Sequence, residues 1–89
     1  MKALRGAALK THDLKCWPEY FEALRNGSKD FDLRKDDRGF AVGDWLRFYE
    51  WAPETGYTGE LHLERIAYIL RDFEGLVPGY CILGLGLEE

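Results

Sequence analysis

Residues 11–35 read THDLKCWPEYFEALRNGSKDFDLRK, and the hydrophobic period changes twice along them. Thr11 to Lys15 alternates, with Leu14 and His12 facing one way and Asp13 and Lys15 the other, as a short strand requires. Trp17-Pro18-Glu19 then starts a helix. Proline loses nothing at the first helical position for want of an N–H, and Glu19 suits the positive end of the helix. Tyr20, Phe21 and Leu24 supply an apolar stripe, and Asn26-Gly27 ends the helix because glycine takes the left-handed cap conformation cheaply. Lys29 to Lys35 returns to period two, with Phe31 and Leu33 on one face and Asp30, Asp32 and Arg34 on the other. The stretch therefore predicts strand, helix and half-exposed strand in succession.

Downstream, Asp36-Asp37-Arg38-Gly39 is a polar turn and Val42-Gly43-Asp44 a tighter one. Trp45 to Trp51 alternates Leu46 and Phe48 against Trp45, Arg47, Tyr49 and Trp51, so both faces of that strand are largely apolar. Such a strand is expected to have neighbours on both sides, a barrel interior on one and the early helix on the other. Burial of Trp45, Tyr49 and Trp51 under the helix is the reading adopted; base stacking beside Arg47, or a dimer contact, are the functional alternatives. Pro53-Glu54-Thr55-Gly56 and Thr58-Gly59 lead through a hairpin into Glu60 to Leu70. Leu61 and Leu63 followed by Ile66, Tyr68 and Leu70 predict a strand whose parity switches near Glu64-Arg65, as at a bulge. Phe73 to Gly79 is a Gly/Pro loop. The almost wholly apolar Tyr80 to Leu85 is expected at the centre of a sheet, not its edge. Residues 1–10 are expected to form a mobile tail.

The whole chain of 89 residues reads as one domain, 1–89. With 46% hydrophobic and 15% aromatic residues it is too apolar to remain disordered. A net charge of −4 argues against attachment to nucleic acid or anionic membrane by an overall positive field, so any anion site must be local. The charge is uneven: Lys2, Arg5, Lys10 and Lys15 face only Asp13 before residue 16, whereas Glu54 onward is acidic. Two cysteines are too few for a disulfide framework, and the first ten residues lack the apolar stretch of a signal peptide. The expected compartment is the cytosol. No apolar run approaches the roughly 20 residues that cross a bilayer, so no membrane partner is expected.

One helix after the first strand of a small, mostly antiparallel sheet invites comparison. His12 to Leu83 resembles the PUA-like superfamily, within it the ASCH domains, and most closely an ASCH-related family of small bacterial and phage domains whose function is unassigned. The likeness is carried by His12-Asp13-Leu14-Lys15, Trp17-Pro18-Glu19-Tyr20-Phe21, Gly27-Ser28-Lys29, Phe31-Asp32-Leu33-Arg34, Asp37-Arg38, Val42-Gly43-Asp44 and Tyr57-Thr58-Gly59. It implies an α+β fold, a mostly antiparallel β pseudo-barrel of five or six strands with one main helix after the first. It also implies a cleft beside the Gly-x-Lys-x-x-Glu-x-Arg segment that receives RNA or a nucleotide. This chain departs from that pattern, with Asp32 where many members have Glu and Asp30 where many have Thr. A shorter carboxylate and an added charge should weaken anion binding.

Arg25, Lys29, Arg34, Lys35 and Arg38 form the best basic cluster, interleaved with Asp30, Asp32, Asp36 and Asp37. Taken alone, it reads as a solvated, salt-bridged strand face whose exposed pairs contribute about 0 to 1 kcal/mol each. The resemblance turns it into a site in which Lys15, Lys29, Asp32, Arg34, Lys35 and Arg38 hold RNA or a single, modified or unmodified, nucleotide. Guanidinium and ammonium groups suit phosphate and base oxygens, and Asp32 suits an amino group of a base. The alternative is an ASCH-type hydrolase acting on acyl-cytidine or RNA, with Lys29 and Asp32 as the working pair and Glu50 or Glu64 as the distant carboxylate. An aspartate in place of the threonine disfavours it, as do carboxylates beside a lysine that would have to be neutral. A protein-interaction domain is the second alternative. His12, Cys16, His62 and Cys81 lack the paired spacing of zinc ligands, so no metal and no cofactor is expected. Cys16 and Cys81 read as small buried hydrophobes and His62 as an exposed strand residue.

Overall fold

The computed structural model describes residues 9–86. Most of the expected tail therefore lies outside the described residues, but Lys10 is anchored: its N–H donates to Asp44 Oδ1 at 3.1 Å and its carbonyl accepts from Trp45 N at 2.8 Å.

Five strands and one short helix make up an α+β unit: β1 (Thr11–Cys16), α1 (Pro18–Arg25), β2 (Phe31–Lys35), β3 (Trp45–Ala52), β4 (Gly56–Leu70) and β5 (Tyr80–Leu85). The order across the sheet is β1-β3-β4-β5-β2. β1 runs parallel to β3 and every other pairing is antiparallel, so the sheet is mixed. The expected pseudo-barrel is not closed, because β1 and β2 are both edges of the sheet. β5 lies between β4 and β2, the central place its apolar sequence demands.

The helix forms where Pro18 pre-sets the first turn, with Glu19 at its positive end and Arg25 in its last turn. It buries Phe21 and Leu24 against β3 and β4, in one core with Leu14, Phe40, Leu46, Phe48, Ile66, Cys81 and Leu83. Gly27 at φ 86° turns the chain out of the helix, and the Lys29 N–H returns to the Ala23 carbonyl at 3.0 Å.

Three further expectations change. Trp45, Tyr49 and Trp51 do not lie under the helix; Leu46 and Phe48 do, while Trp45 is exposed and stacks beneath the Arg65 guanidinium at 4.9 Å. The parity switch in β4 comes later than Glu64-Arg65. Leu61 and Leu63 point outward, His62 and Glu64 are half-buried, and the register breaks between Ile66 and Tyr68. There β4 leaves its pairing with β3 for its pairing with β5, with Ile66 fully buried at the crossing. Third, β2 is inside out: Phe31 and Leu33 are 45% and 54% exposed, whereas Asp32 is 5% exposed.

The buried carboxylate of Asp44 joins the pieces. Besides Lys10 N it accepts from Ala41 N at 3.0 Å and from His12 Nε2 at 2.8 Å, and the Asp44 carbonyl accepts from Ile66 N at 2.9 Å. Earlier in the loop between β2 and β3, Asp36 is clamped by Arg71, which follows β4 and also donates to the Phe40 carbonyl at 3.0 Å. The Arg71 guanidinium holds the Asp36 carboxyl below its usual range. Asp44→Ala would leave three donors without their acceptor, two backbone and one imidazole. The expected loss is about 3 to 5 kcal/mol in urea unfolding, and a loss below about 1 kcal/mol would show that Asp44 is not the tie.

Candidate functional site

The gap between the two sheet edges is a groove. One hollow of about 660 Å³ is lined by Asp13, Leu14 and Lys15 of β1, Arg34 of β2, Arg38, Tyr49 and Tyr57. A second, of about 500 Å³, is lined by Lys15, Cys16, Trp17 and Tyr20 on one side and Lys29, Phe31, Asp32, Leu33 and Arg34 on the other. Lys15 and Arg34 belong to both, so the hollows adjoin. The groove carries four cations and two carboxylates among aromatic walls, in a chain of net charge −4.

At its narrow end Asp32 is held between two cations, with Arg34 Nε 2.5 Å from Oδ2 and Lys29 Nζ 3.6 Å from Oδ1. Lys29 Nζ also donates to the Phe31 carbonyl at 2.8 Å and lies 4.9 Å from the Phe31 ring centre and 5.8 Å from that of Tyr20. Among the described residues Arg34 bonds only through Nε, which leaves both Nη groups for a ligand. Lys15 Nζ sits 4.3 Å above the Trp51 ring, itself edge-on to Trp17 at 5.9 Å. At the wide end Arg38 Nη1 reaches across to the Asp13 carbonyl at 2.8 Å. The Asp13 carboxylate pairs with Arg47 at 2.6 Å, which keeps its carboxyl below the usual range. Tyr49 and Tyr57 stand edge to face at 6.2 Å.

Of the sequence-predicted residues, the fold brings together Lys15, Lys29, Asp32, Arg34 and Arg38. Lys35 is exposed at the end of β2 and lines neither hollow, and Arg25 is engaged by Glu22 at 3.0 Å and Glu60 at 3.2 Å. Trp17, Tyr20, Phe31 and Tyr57 join the site without having been assigned to it. All four sit in the segments from which the PUA-like resemblance is read, which is the signal that points to them. Glu50 accepts from Thr58 Oγ1 at 2.7 Å and Glu64 lies 2.8 Å from His62 Nε2, and neither lines the groove. The four residues weighed as zinc ligands are dispersed: His12 meets Asp44, half-buried His62 meets Glu64, and both cysteines are buried free thiols.

Burial, then the nearby Asp32 carboxylate, pushes the Cys16 thiol up to about 11. At pH 8 only about one thiol in a thousand would be ionised, so Cys16 is a poor nucleophile at the groove floor. Reaction with an aromatic disulfide reagent at pH 8 should be slow in native protein and complete for both thiols in denaturant. Rapid labelling of Cys16 in the native state would contradict its placement.

The family model described as Domain of unknown function (DUF3850) matches residues 11–85. A protein of Escherichia phage P2, described as an uncharacterized 12.9 kDa protein in the GpA 3′ region, is 31% identical over 80 residues. The match covers 90% of this chain and 72% of the phage protein.

Proposed function

The chain belongs to that family, and on that premise we propose that it is a binding module for RNA or a nucleotide, seated in the groove between β1 and β2. The observation that carries this reading is the inverted parity of β2. Folding alone favours Phe31 and Leu33 inside and the charges outside, and a one-residue change of register would achieve it. Instead the strand leaves its apolar pair exposed at the groove and buries Asp32 there between Lys29 and Arg34. Local rules broken in this way are expected where a site is built.

The chemistry is that of a single-strand site. Lys15, the Nη groups of Arg34, and Arg38 can meet phosphates, and an Arg fork suits two phosphate oxygens. Trp17, Tyr20, Phe31, Tyr49 and Tyr57 offer faces on which bases stack, each worth about 1 to 3 kcal/mol when used. A cleft beside the segment that holds Lys29, Asp32 and Arg34 is what the PUA-like and ASCH resemblance implies, and we carry that likeness as part of the proposal. No helix among the described residues is long and apolar enough to cross a membrane.

Hydrolysis has less support in the same geometry. Lys29 donates to a backbone carbonyl and neighbours a carboxylate, Cys16 is scarcely ionised, and Glu50 and Glu64 lie outside the groove.

Titration with short single-stranded RNAs tests the proposal. With three phosphates neutralised, log K against log salt should fall with a slope of about −2. Arg34→Ala should weaken binding at least tenfold, about 1.4 kcal/mol. Absence of binding at low salt, or equal binding by that variant, would remove the reading.

A further inference from the structure

Resting on the nucleic-acid reading of the groove, we propose that its narrow end is a guanine pocket in which Asp32 reads the base. The motivating feature is a buried carboxylate that lines a hollow and retains acceptor capacity. Asp32 is 5% exposed overall, yet it borders the smaller hollow with Trp17, Tyr20 and Phe31. A carboxylate offers about four lone-pair positions and no donor. Arg34 Nε uses one on Oδ2, and Lys29, 3.6 Å from Oδ1, is an ion-pair partner beyond hydrogen-bond distance.

Two adjacent acceptors call for two adjacent donors. Guanine alone of the four RNA bases presents them, as N1–H beside the 2-amino group. Adenine and cytosine each set a ring-nitrogen lone pair next to their amino group, and uracil flanks one N–H with two carbonyls. Any of the three would press a lone pair against a carboxylate oxygen. The cation completes the match: with N1–H on Oδ1 and the 2-amino group on Oδ2, guanine O6 falls on the Lys29 side. The order ammonium, Oδ1, Oδ2 in the protein thus answers acceptor, donor, donor along the base edge. Trp17, Tyr20 and Phe31, about half exposed, supply the faces between which the base plane would lie.

The carboxylate is also held in place by its two cations. Asp32 sits on an edge strand whose partner β5 places Leu83 opposite it, fully buried, so the carboxylate cannot retreat into solvent without leaving its cations. A fixed carboxylate discriminates because a mismatched base finds it unable to turn away.

The experiment uses the whole chain and labelled oligouridylates carrying one central guanosine, inosine, adenosine or cytidine, with the all-uridine strand as reference. The guanosine strand is expected to bind tightest, by about tenfold or more over adenosine, cytidine and uridine. Inosine, which lacks only the 2-amino group, should fall between. Asp32→Asn, which replaces one acceptor by a donor, should erase the preference, bringing the guanosine strand level with the adenosine, cytidine and uridine strands. If that variant fails to fold, the guanosine-to-inosine comparison on the native chain decides alone. Equal binding of all strands would overturn the guanine assignment and leave the nucleic-acid reading standing. Equal binding of guanosine and inosine strands would overturn the paired contact, and no binding of any strand would remove both.

Discussion

One carboxylate closes the molecule. Asp44 gathers the N–H of Lys10, the N–H of Ala41 and the His12 imidazole, while its own carbonyl receives Ile66 N. Those four contacts reach the chain just before β1, β1 itself, the β2–β3 loop and the bend of β4. In a domain this small the hydrophobic core is thin, so a buried carboxylate with both oxygens hydrogen-bonded has a large share in choosing one arrangement over others. The parallel docking of β1 on β3 follows from it. Parallel neighbours lack a hairpin to set their register, and here the Lys10–Trp45 backbone bond and the Lys10–Asp44 and His12–Asp44 contacts set it.

The open sheet is the second consequence. β4 spends its first part on β3 and its last part on β5, and the register break after Ile66 bends it between the two. The bend brings β1 and β2 into view of each other without joining them, and the space left over is the groove. Open edges invite pairing with other chains, and charged side chains on them oppose it. Asp13, Lys15, Asp32 and Arg34 serve that end, and Arg38 covers the Asp13 carbonyl directly. The groups that would bind a ligand are thus the same ones that keep the edges single.

Much of this was legible in residues 11–35. The first strand, the helix from Pro18, its stop at Asn26-Gly27 and the central placing of Tyr80 to Leu85 all follow from local chemistry that the tertiary structure does not override. The face of β2 was not legible, because Phe31 and Leu33 alternate with charges as any amphipathic strand does and local rules would send the apolar pair in. What decides it is the pair Lys29 and Arg34, which neutralise Asp32 inside; periodicity weighs apolar residues and is blind to a buried ion pair. The position of the bulge escaped for a similar reason. Leu61 and Leu63 look like core residues, but Leu63 lies opposite Arg47 and Leu61 opposite Tyr49 on the outer face, while His62 and Glu64 satisfy each other on the inner one. Five of the six predicted site residues converge, and Lys35 does not, because the inward turns of β2 end at Arg34.

The electrostatics of the groove set how it could be used. Several of the chain's acids are already paired, Asp13 with Arg47, Asp36 with Arg71, Glu22 and Glu60 with Arg25, so the surplus of negative charge is spread over exposed pairs and the acidic second half. At physiological salt a charge is felt over about 8 Å, so an approaching anion meets the net −4 of the whole protein as a weak repulsion at best and the groove's cations only on contact. Long-range steering is therefore absent, and encounter rates should lie in the unassisted range. Selectivity must come from what happens after contact: stacking on the aromatic walls, the Arg34 fork, and the fixed carboxylate at the narrow end. A site of that kind trades affinity for discrimination, since each of its charges is already half satisfied within the protein and yields only the difference when a ligand replaces or joins its partner.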